Sequence, residues 1–222
     1  MAELPSEIRT LETVVPAAPD RPDFAGPDHP MRKVTRQVAF EPDGWTPERA
    51  AKVAQLFDAM APEWSARTSQ ERQDVLRDAL ARGEAGPRGF SGLCVEIGSG
   101  TGSSTEDLAR VFDLVLALDL SREMLRHAPS APGLRVQADA ARLPLRDGAA
   151  DAIVLVNALL FPREMDRVLA PDGVLVWVNS LGDRTPIHLP AEDVAEALPG
   201  PWQGVQSEAG WGIWCTLRRL HD

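Results

Sequence analysis

Val95-Glu96-Ile97-Gly98-Ser99-Gly100-Thr101-Gly102 is the stretch of this 222-residue chain whose reading decides the fold. The apolar run Leu93–Ile97 stops on glycines at every second position, and a helical pattern over 105–112 opens just beyond. A run of that length suits a buried strand. Glycines after it let the backbone take conformations closed to other residues and approach a ligand closely. A strand, a glycine loop and a helix start at the carboxyl edge of a parallel sheet make a nucleotide-type site. The flanking residues narrow the ligand. Ser103 stands where a dinucleotide fingerprint has its third glycine. Glu96 would repel a pyrophosphate but suits the ammonium of an amino-acid moiety.

Downstream the rhythm is strand, helix, strand, helix. Apolar runs at 114–118, 134–138, 152–156 and 174–178 read as strands, with helices at 122–127 and 163–169 between them. Continuous apolar strands alternating with helices imply a mainly parallel sheet covered on both faces. After a helix near 191–198, the segments 203–207 and 212–217 read as a terminal β-hairpin.

Upstream, residues 1–47 hold eight of the nineteen prolines, so an extended arm is expected there. Val34, Val38 and Phe40 alternate with polar residues in the manner of a short strand. Thr46 before Pro47 is a helix start. Val53, Leu56, Phe57 and Met60 give that helix an apolar stripe, ending near Pro62. A second helix, capped by Ser69, carries Val75, Leu76 and Leu80. The arm and these helices, residues 1–84, form a cap that cannot fold alone, and 85–222 form the core.

Further polar residues fall at strand ends. Asp119 follows the strand at 114–118, where a carboxylate can accept from both ribose hydroxyls; as a bland alternative, Asp119 or Ser121 caps the helix at 122. Leu120 and Met124 can sandwich a purine. Asp139 sits where it can bond an adenine amino group, with Ala140 leaving room. Asn157 ends the fourth strand and either faces the reacting centre or serves as a turn residue.

Bulk properties exclude several classes. The net charge is −10, from 33 acidic and 23 basic side chains. Without a run of Lys and Arg, a phosphate-binding nucleic-acid face is not expected, nor is docking on anionic lipid. Cys94 and Cys215 lie in apolar runs and read as buried thiols. No metal-ligand spacing, signal peptide or membrane-length apolar run is seen, so a cytoplasmic protein is expected. Oligomeric state is not legible.

These motifs together resemble the class I S-adenosylmethionine (SAM)-dependent methyltransferases, especially the small-molecule branch that includes ubiquinone- and menaquinone-biosynthesis enzymes. VEIGSGTG, starting at Val95, resembles their first motif, and LALDLS, ending at Ser121, their second. The run ADAARLPLRDGAADAIVLVNALL from Ala138 resembles the third and fourth, and MDRVLAPDGVLVWVN from Met165 the block that follows. Phe57-Asp58-Ala59-Met60-Ala61-Pro62-Glu63-Trp64 resembles an element of the family's cap, with Trp64 replacing tyrosine.

The resemblance spans about residues 55 to 217. It implies a Rossmann-like, seven-stranded, mostly parallel α/β sheet with an antiparallel last strand and a helical cap. SAM is the implied cofactor and S-adenosylhomocysteine (SAH) the product. Gly98, Gly100 and Gly102, with Ser99 and Thr101 between them, shape the loop over its methionine moiety, near Glu96. Asp119 holds the ribose, with Leu120 and Met124 beside the purine and Asp139 and Ala140 at the adenine. Segment 157–163 departs from the family by lacking the longer loop, with its His, after the fourth strand.

Methyl transfer to a small molecule by in-line displacement needs alignment and exclusion of water more than acid–base chemistry. Where a base is needed, His188, in the loop after the fifth strand, is the candidate. Met60, Trp64 and His29 are expected in the acceptor pocket. His127 is expected on the surface, and Trp177, Trp211 and Trp214 in the core. Two other functions remain open to the same sequence: a SAM-binding protein that does not methylate, and, less favoured, a nicotinamide-dependent oxidoreductase.

Overall fold

The structure, a computed structural model, describes residues 6–19, 21, 26–67, 69–86, 89–128 and 132–220. The chain runs β1 (Glu7–Thr10), α1 (Met31–Phe40), α2 (Pro47–Trp64), α3 (Gln70–Arg82), β2 (Leu93–Ile97), α4 (Thr105–Ala109), β3 (Leu114–Asp119), α5 (Arg122–His127) and β4 (Leu134–Gln137). It continues through β5 (Ala150–Val156), α6 (Pro162–Val168), β6 (Leu169–Asn179), α7 (Ala191–Ala197), β7 (Trp202–Ala209) and β8 (Gly212–Arg219).

The strands form one sheet in the order β1-β7-β8-β6-β5-β2-β3-β4. Only β8 runs antiparallel, pairing with β6 on one side and β7 on the other. The last strand is therefore the reversed one, as expected, but the sheet has eight strands rather than seven. The additional strand is β1, which leaves the expected extended arm to pair in parallel with β7. Past β1 the arm follows the β7–β8 hairpin. The Leu11 N–H donates to the Gln206 carbonyl at 2.8 Å, and the Gly210 N–H to that of Val15 at 2.9 Å. Trp211, expected in the core, sits at the hairpin turn, its indole N–H donating to the Ala18 carbonyl at 2.7 Å.

Period-two alternation divides the strand side chains between two apolar layers. Val95, Ile153, Leu155, Leu175 and Trp177 face one layer, where α6 and α7 supply Met165, Val168 and Val194. Cys94, Val154, Val176 and Trp214 face the other. On that second face the hairpin between β7 and β8 brings no crossover helix, so half the sheet needs another cover. It is α3 that supplies this cover, burying Val75, Leu76 and Ala79 there. Its buried Asp78 accepts from the Trp214 indole at 2.7 Å and from Arg82 Nε at 2.7 Å, so the buried charge is paired.

Residues Val34 to Phe40, expected as a strand, belong to α1, which buries Thr35, Val38 and Ala39. Val34 and Val38 stand four apart, a spacing shared by strand and helix, and the core contact at Thr35 decides for the helix. The α2 start is as expected: Thr46 Oγ1 accepts from the Arg49 N–H at 3.2 Å, with Pro47 at the first helical position. The helix passes through Pro62 and ends at Trp64. Ser69 occupies the N-cap position of α3, but its side chain makes no capping bond. No described helix is long and apolar enough to cross a membrane.

Candidate active site

Strand order reverses around β2, with β3 and β4 on one side and β5 and β6 on the other. That reversal opens a crevice at the carboxyl ends of the strands, the usual ligand position in such sheets. Here it holds a cavity of about 1290 Å³, mouth included. At its floor the loop after β2 meets the loop after β5. Gly98 has φ +66°, and a Cβ on it would lie 3.0 Å from the Ala158 Cβ.

One carboxylate ties this floor together. Asp119, at the end of β3, accepts the Gly100 N–H on Oδ2 and the Ser121 N–H on Oδ1, both at 2.7 Å. The side-chain cap of α5 is Ser121, whose Oγ accepts from the Met124 N–H at 3.1 Å. Asp119 thus braces the glycine loop and is not the cap. Burial raises its pKa, with the Asp58 carboxylate adding to the effect against the opposing N–H bonds. Asp58, on α2, accepts the Ser121 hydroxyl and the Glu123 N–H, which docks the cap on α5.

Glu96 is 2% exposed and lines the cavity beside the glycine loop. The Thr105 hydroxyl donates to its Oε2 at 2.6 Å. Burial, reinforced by the charge of Asp119, pushes its pKa up to about 7.

Asn157 closes β5 with φ +53°, the only described non-glycine residue at positive φ. Asparagine tolerates that conformation, and the strain lies at the cavity wall. Its amide donates to Ser180 Oγ and accepts from the Ser180 N–H, both at 2.9 Å, so the ends of β5 and β6 are pinned together. Arg72, from the start of α3, donates from Nε to the same Ser180 hydroxyl at 3.1 Å. Among the described lining residues it is the one cation, facing the acids Glu96, Asp119 and Asp139.

Aromatic rings make the outer wall. Trp45 packs edge-on against Phe161 at 5.2 Å, and Phe57 against Trp64 at 5.5 Å. The Trp45 indole also donates to both carboxylate oxygens of Asp139, at 3.0 and 3.1 Å.

Residues 95–177 match the methyltransferase domain family. The chain is 30% identical over 182 residues to the demethylmenaquinone methyltransferase of Thermobifida fusca (strain YX), covering 72% of this chain and 67% of that protein. The chain belongs to the class I SAM-dependent methyltransferases. A stretch of 101 residues, 42% of this chain and 33% of the relative, is 40% identical to a candidate 23S rRNA (guanine-N(1)-)-methyltransferase of Micromonospora griseorubida. Among solved structures, the DhpI–SAH complex shares the fold, with TM-score 0.62 and 24% identity over 77% of this chain and 96% of that one.

SAM is the cofactor of this methyltransferase family, and the cavity has features that fit it. Gly98 and Gly100, at φ +66° and +56°, keep side chains off the loop face. Ser99 Oγ is buried there without a hydrogen-bond partner, an unmet polar group beside the cavity. Replacing Gly98 with Ala adds a left-handed strain of about 1–2 kcal/mol and a close contact with Ala158. The expected result is a lower melting temperature and weaker SAH binding; an unchanged titration would show that the loop can relax.

The structure brings most of the expected cofactor residues together. Glu96, Gly98, Ser99, Gly100, Asp119, Leu120, Met124, Asp139, Ala140 and Asn157 all line the cavity. Thr101 and Gly102 lie in the same loop but behind it. Thr101 turns back toward Ser65, whose hydroxyl contacts its Oγ1 at 3.3 Å, and Gly102 sits against Thr105 and Ala128.

Of the expected acceptor residues only Trp64 reaches the cavity; Met60 and His29 do not line it. The His29 Nδ1 accepts from the Met31 N–H at 3.2 Å, at the start of α1. His188 also lies off the cavity, buried, with Nδ1 2.9 Å from Asn179 Oδ1. Burial lowers its pKa to about 4, Arg32 contributing, so the ring stays neutral at physiological pH. His127 is exposed, as expected. Cys94 and Cys215 are buried, and burial raises both thiol pKa values.

Arg72, Gln73, Phe161, Ser180 and Ile187 line the cavity without a signal in the sequence. Each is a single residue in an ordinary helix, loop or strand end. Among the described residues, no group of three or more His, Cys, Asp or Glu is placed to hold a metal ion.

Proposed function

We propose that this enzyme methylates a small, largely apolar acceptor seated between α2 and the carboxyl ends of β5 and β6. The observation that carries the proposal is the continuity of one cavity from the polar floor at Glu96 and Asp119 to an apolar wall of Val53, Phe57, Trp64, Leu159, Phe161 and Ile187. In this reading Glu96 receives the ammonium of SAM, Asp119 the ribose and Asp139 the adenine, with Leu120 and Met124 flanking the ring.

Residues 46–64, with Trp45, act as the acceptor-side part of the cap. They dock through Asp58 on α5 and turn Val53, Phe57 and Trp64 into the cavity. The strand β1 and the helix α3 take other places, β1 at the sheet edge and α3 on the sheet's second face. The net charge of −10 weighs against a polyanionic acceptor.

When bound, SAM supplies an electrophilic methyl group on a sulfonium. The chain's contribution is alignment of the acceptor and exclusion of water, together worth ~7–11 kcal/mol when the reacting atoms are held in near-attack geometry. Pinning of Asn157 to Ser180 gives that geometry a rigid floor. No histidine lines the cavity among the described residues, so the reading favours an acceptor atom that is nucleophilic without a histidine base.

The test is calorimetric titration with SAM, SAH and NAD, followed by methyl transfer from labelled SAM to a panel of aromatic and aliphatic acceptors. SAM and SAH binding without NAD binding, and label entering an apolar acceptor, are expected. Label entering only RNA would overturn the small-molecule reading.

A further inference from the structure

Asp139 does more than end a strand: its carboxylate is shared with the cap. The Trp45 indole N–H bridges both oxygens at 3.0 and 3.1 Å, and the Ala141 N–H donates to Oδ1 at 2.9 Å. An ionised carboxylate offers about four lone-pair directions. A donor placed between the two oxygens uses the inner pair, and Ala141 uses a further direction on Oδ1. What is left is one outer direction on Oδ2, room for a single N–H.

The indole is held firmly enough to impose this arrangement. Its ring meets Phe161 edge-on at 5.2 Å with an interplanar angle of 78°. Its neighbours form a tight corner between α1 and α2. A Cβ on Gly44 would fall 2.0 Å from the Gln37 carbonyl oxygen, so only glycine fits there. Arg49 clamps the corner by donating to the Gly44 carbonyl and to Gln37 Oε1. Thr46 then caps α2 immediately after Trp45.

We propose that Trp45 is a specificity-determining positioning residue for the cofactor's purine. It fixes the plane of the Asp139 carboxylate so that its one remaining lone pair selects an exocyclic amino group over a keto oxygen. The same bond ties the corner between α1 and α2 to the purine end of the cavity, so recognition of the base and seating of the cap share one side chain. This rests on the reading of Asp139 as the adenine acceptor.

The experiment measures binding of SAH and of S-inosylhomocysteine, whose 6-keto oxygen replaces the amino group, to the full chain and three variants. Wild type is expected to prefer SAH by about tenfold or more, as a hydrogen bond to a charged acceptor implies. Trp45→Phe keeps the aromatic packing on Phe161 but removes the N–H. It is expected to weaken SAH several-fold and leave S-inosylhomocysteine nearly unchanged, so the preference collapses. Trp45→His, which retains a ring N–H, is expected to keep more of the preference than Trp45→Phe.

A purely structural tryptophan would weaken both ligands equally, and that result would overturn the proposal. So would tighter SAH binding in Trp45→Phe, which would make the indole a competitor of the base, or equal preference in the two Trp45 variants. Asp139→Ala separates the two readings. If it leaves the SAH preference intact, the adenine assignment itself fails; if it abolishes the preference while Trp45→Phe does not, only the role of Trp45 fails.

Discussion

Asp119→Ala is expected to weaken SAH binding by roughly 10- to 150-fold, the equivalent of ~1.5–3 kcal/mol for hydrogen bonds to a charged group. Two effects combine. In the proposed site the carboxylate accepts from the ribose, and in the structure it already accepts the Gly100 and Ser121 N–H groups. Its loss frees the glycine loop and leaves two backbone donors without their partner. Asp119→Asn keeps one acceptor oxygen and is expected to fall between wild type and alanine. Titration of each variant with SAH, alongside a thermal melt to confirm folding, makes the measurement. Wild-type affinity in a folded alanine variant would reduce Asp119 to a brace with no part in the ligand.

Glu96 gives the second large effect, and it depends on pH. Its pKa in the folded chain lies near 7, above its ordinary value of 4.5, because burial penalises the charged form. The folded state therefore holds this proton more tightly than the unfolded state does. The stability the group contributes is fully present below about 4.5 and is lost as pH rises through about 7. At pH 8 a buried, ionised Glu96 costs the ligand-free protein about 3 kcal/mol, at 1.36 kcal/mol per unit of pKa.

Glu96→Gln is accordingly expected to raise the melting temperature at pH 8 relative to wild type, with a much smaller difference at pH 5. Ligand binding moves the other way. An ammonium beside Glu96 favours the ionised carboxylate, so wild-type SAH affinity is expected to fall as pH drops below 7, and binding near pH 6 to release a proton. Glu96→Gln should bind weakly and without that pH dependence. Parallel pH profiles in the two proteins would place the ammonium elsewhere.

Much of this site was legible because its polar residues mark the ends of apolar runs. Glu96, Asp119, Asp139 and Asn157 each stand at or just past the carboxyl end of a strand, and these ends share one sheet edge by the rules of parallel topology. The cap was legible only in part. The α2 start is local chemistry, Thr46 and Pro47, and appears where the sequence places it. Its inward face is another matter: Met60 and Phe57 lie on the same helix, yet Phe57 turns into the cavity and Met60 does not. An apolar stripe says that a helix is covered, not what covers it. The same limit applies to α3, whose stripe lies against the sheet face left bare by the β7–β8 hairpin.

By itself, the sequence determined the α/β class, the reversed last strand, the glycine loop and its flanking acid, and the family to which they belong. The α/β class and the glycine loop follow from the period of apolar residues and from glycine's backbone freedom, both local in the chain. The reversed last strand and the family are implied by the resemblance of the motifs taken together. Tertiary structure alone decided that Glu7–Thr10 joins the sheet as an eighth strand. Only one of its four residues is apolar and it lies at an edge, so its pairing rests on backbone bonds that leave no pattern in side chains. It also decided that His188 turns to Asn179 and away from the cavity, and that Trp45 reaches Asp139 across 94 positions of chain. Contacts between distant residues depend on how whole layers pack, and local periodicity carries no record of which partner a buried side chain will meet.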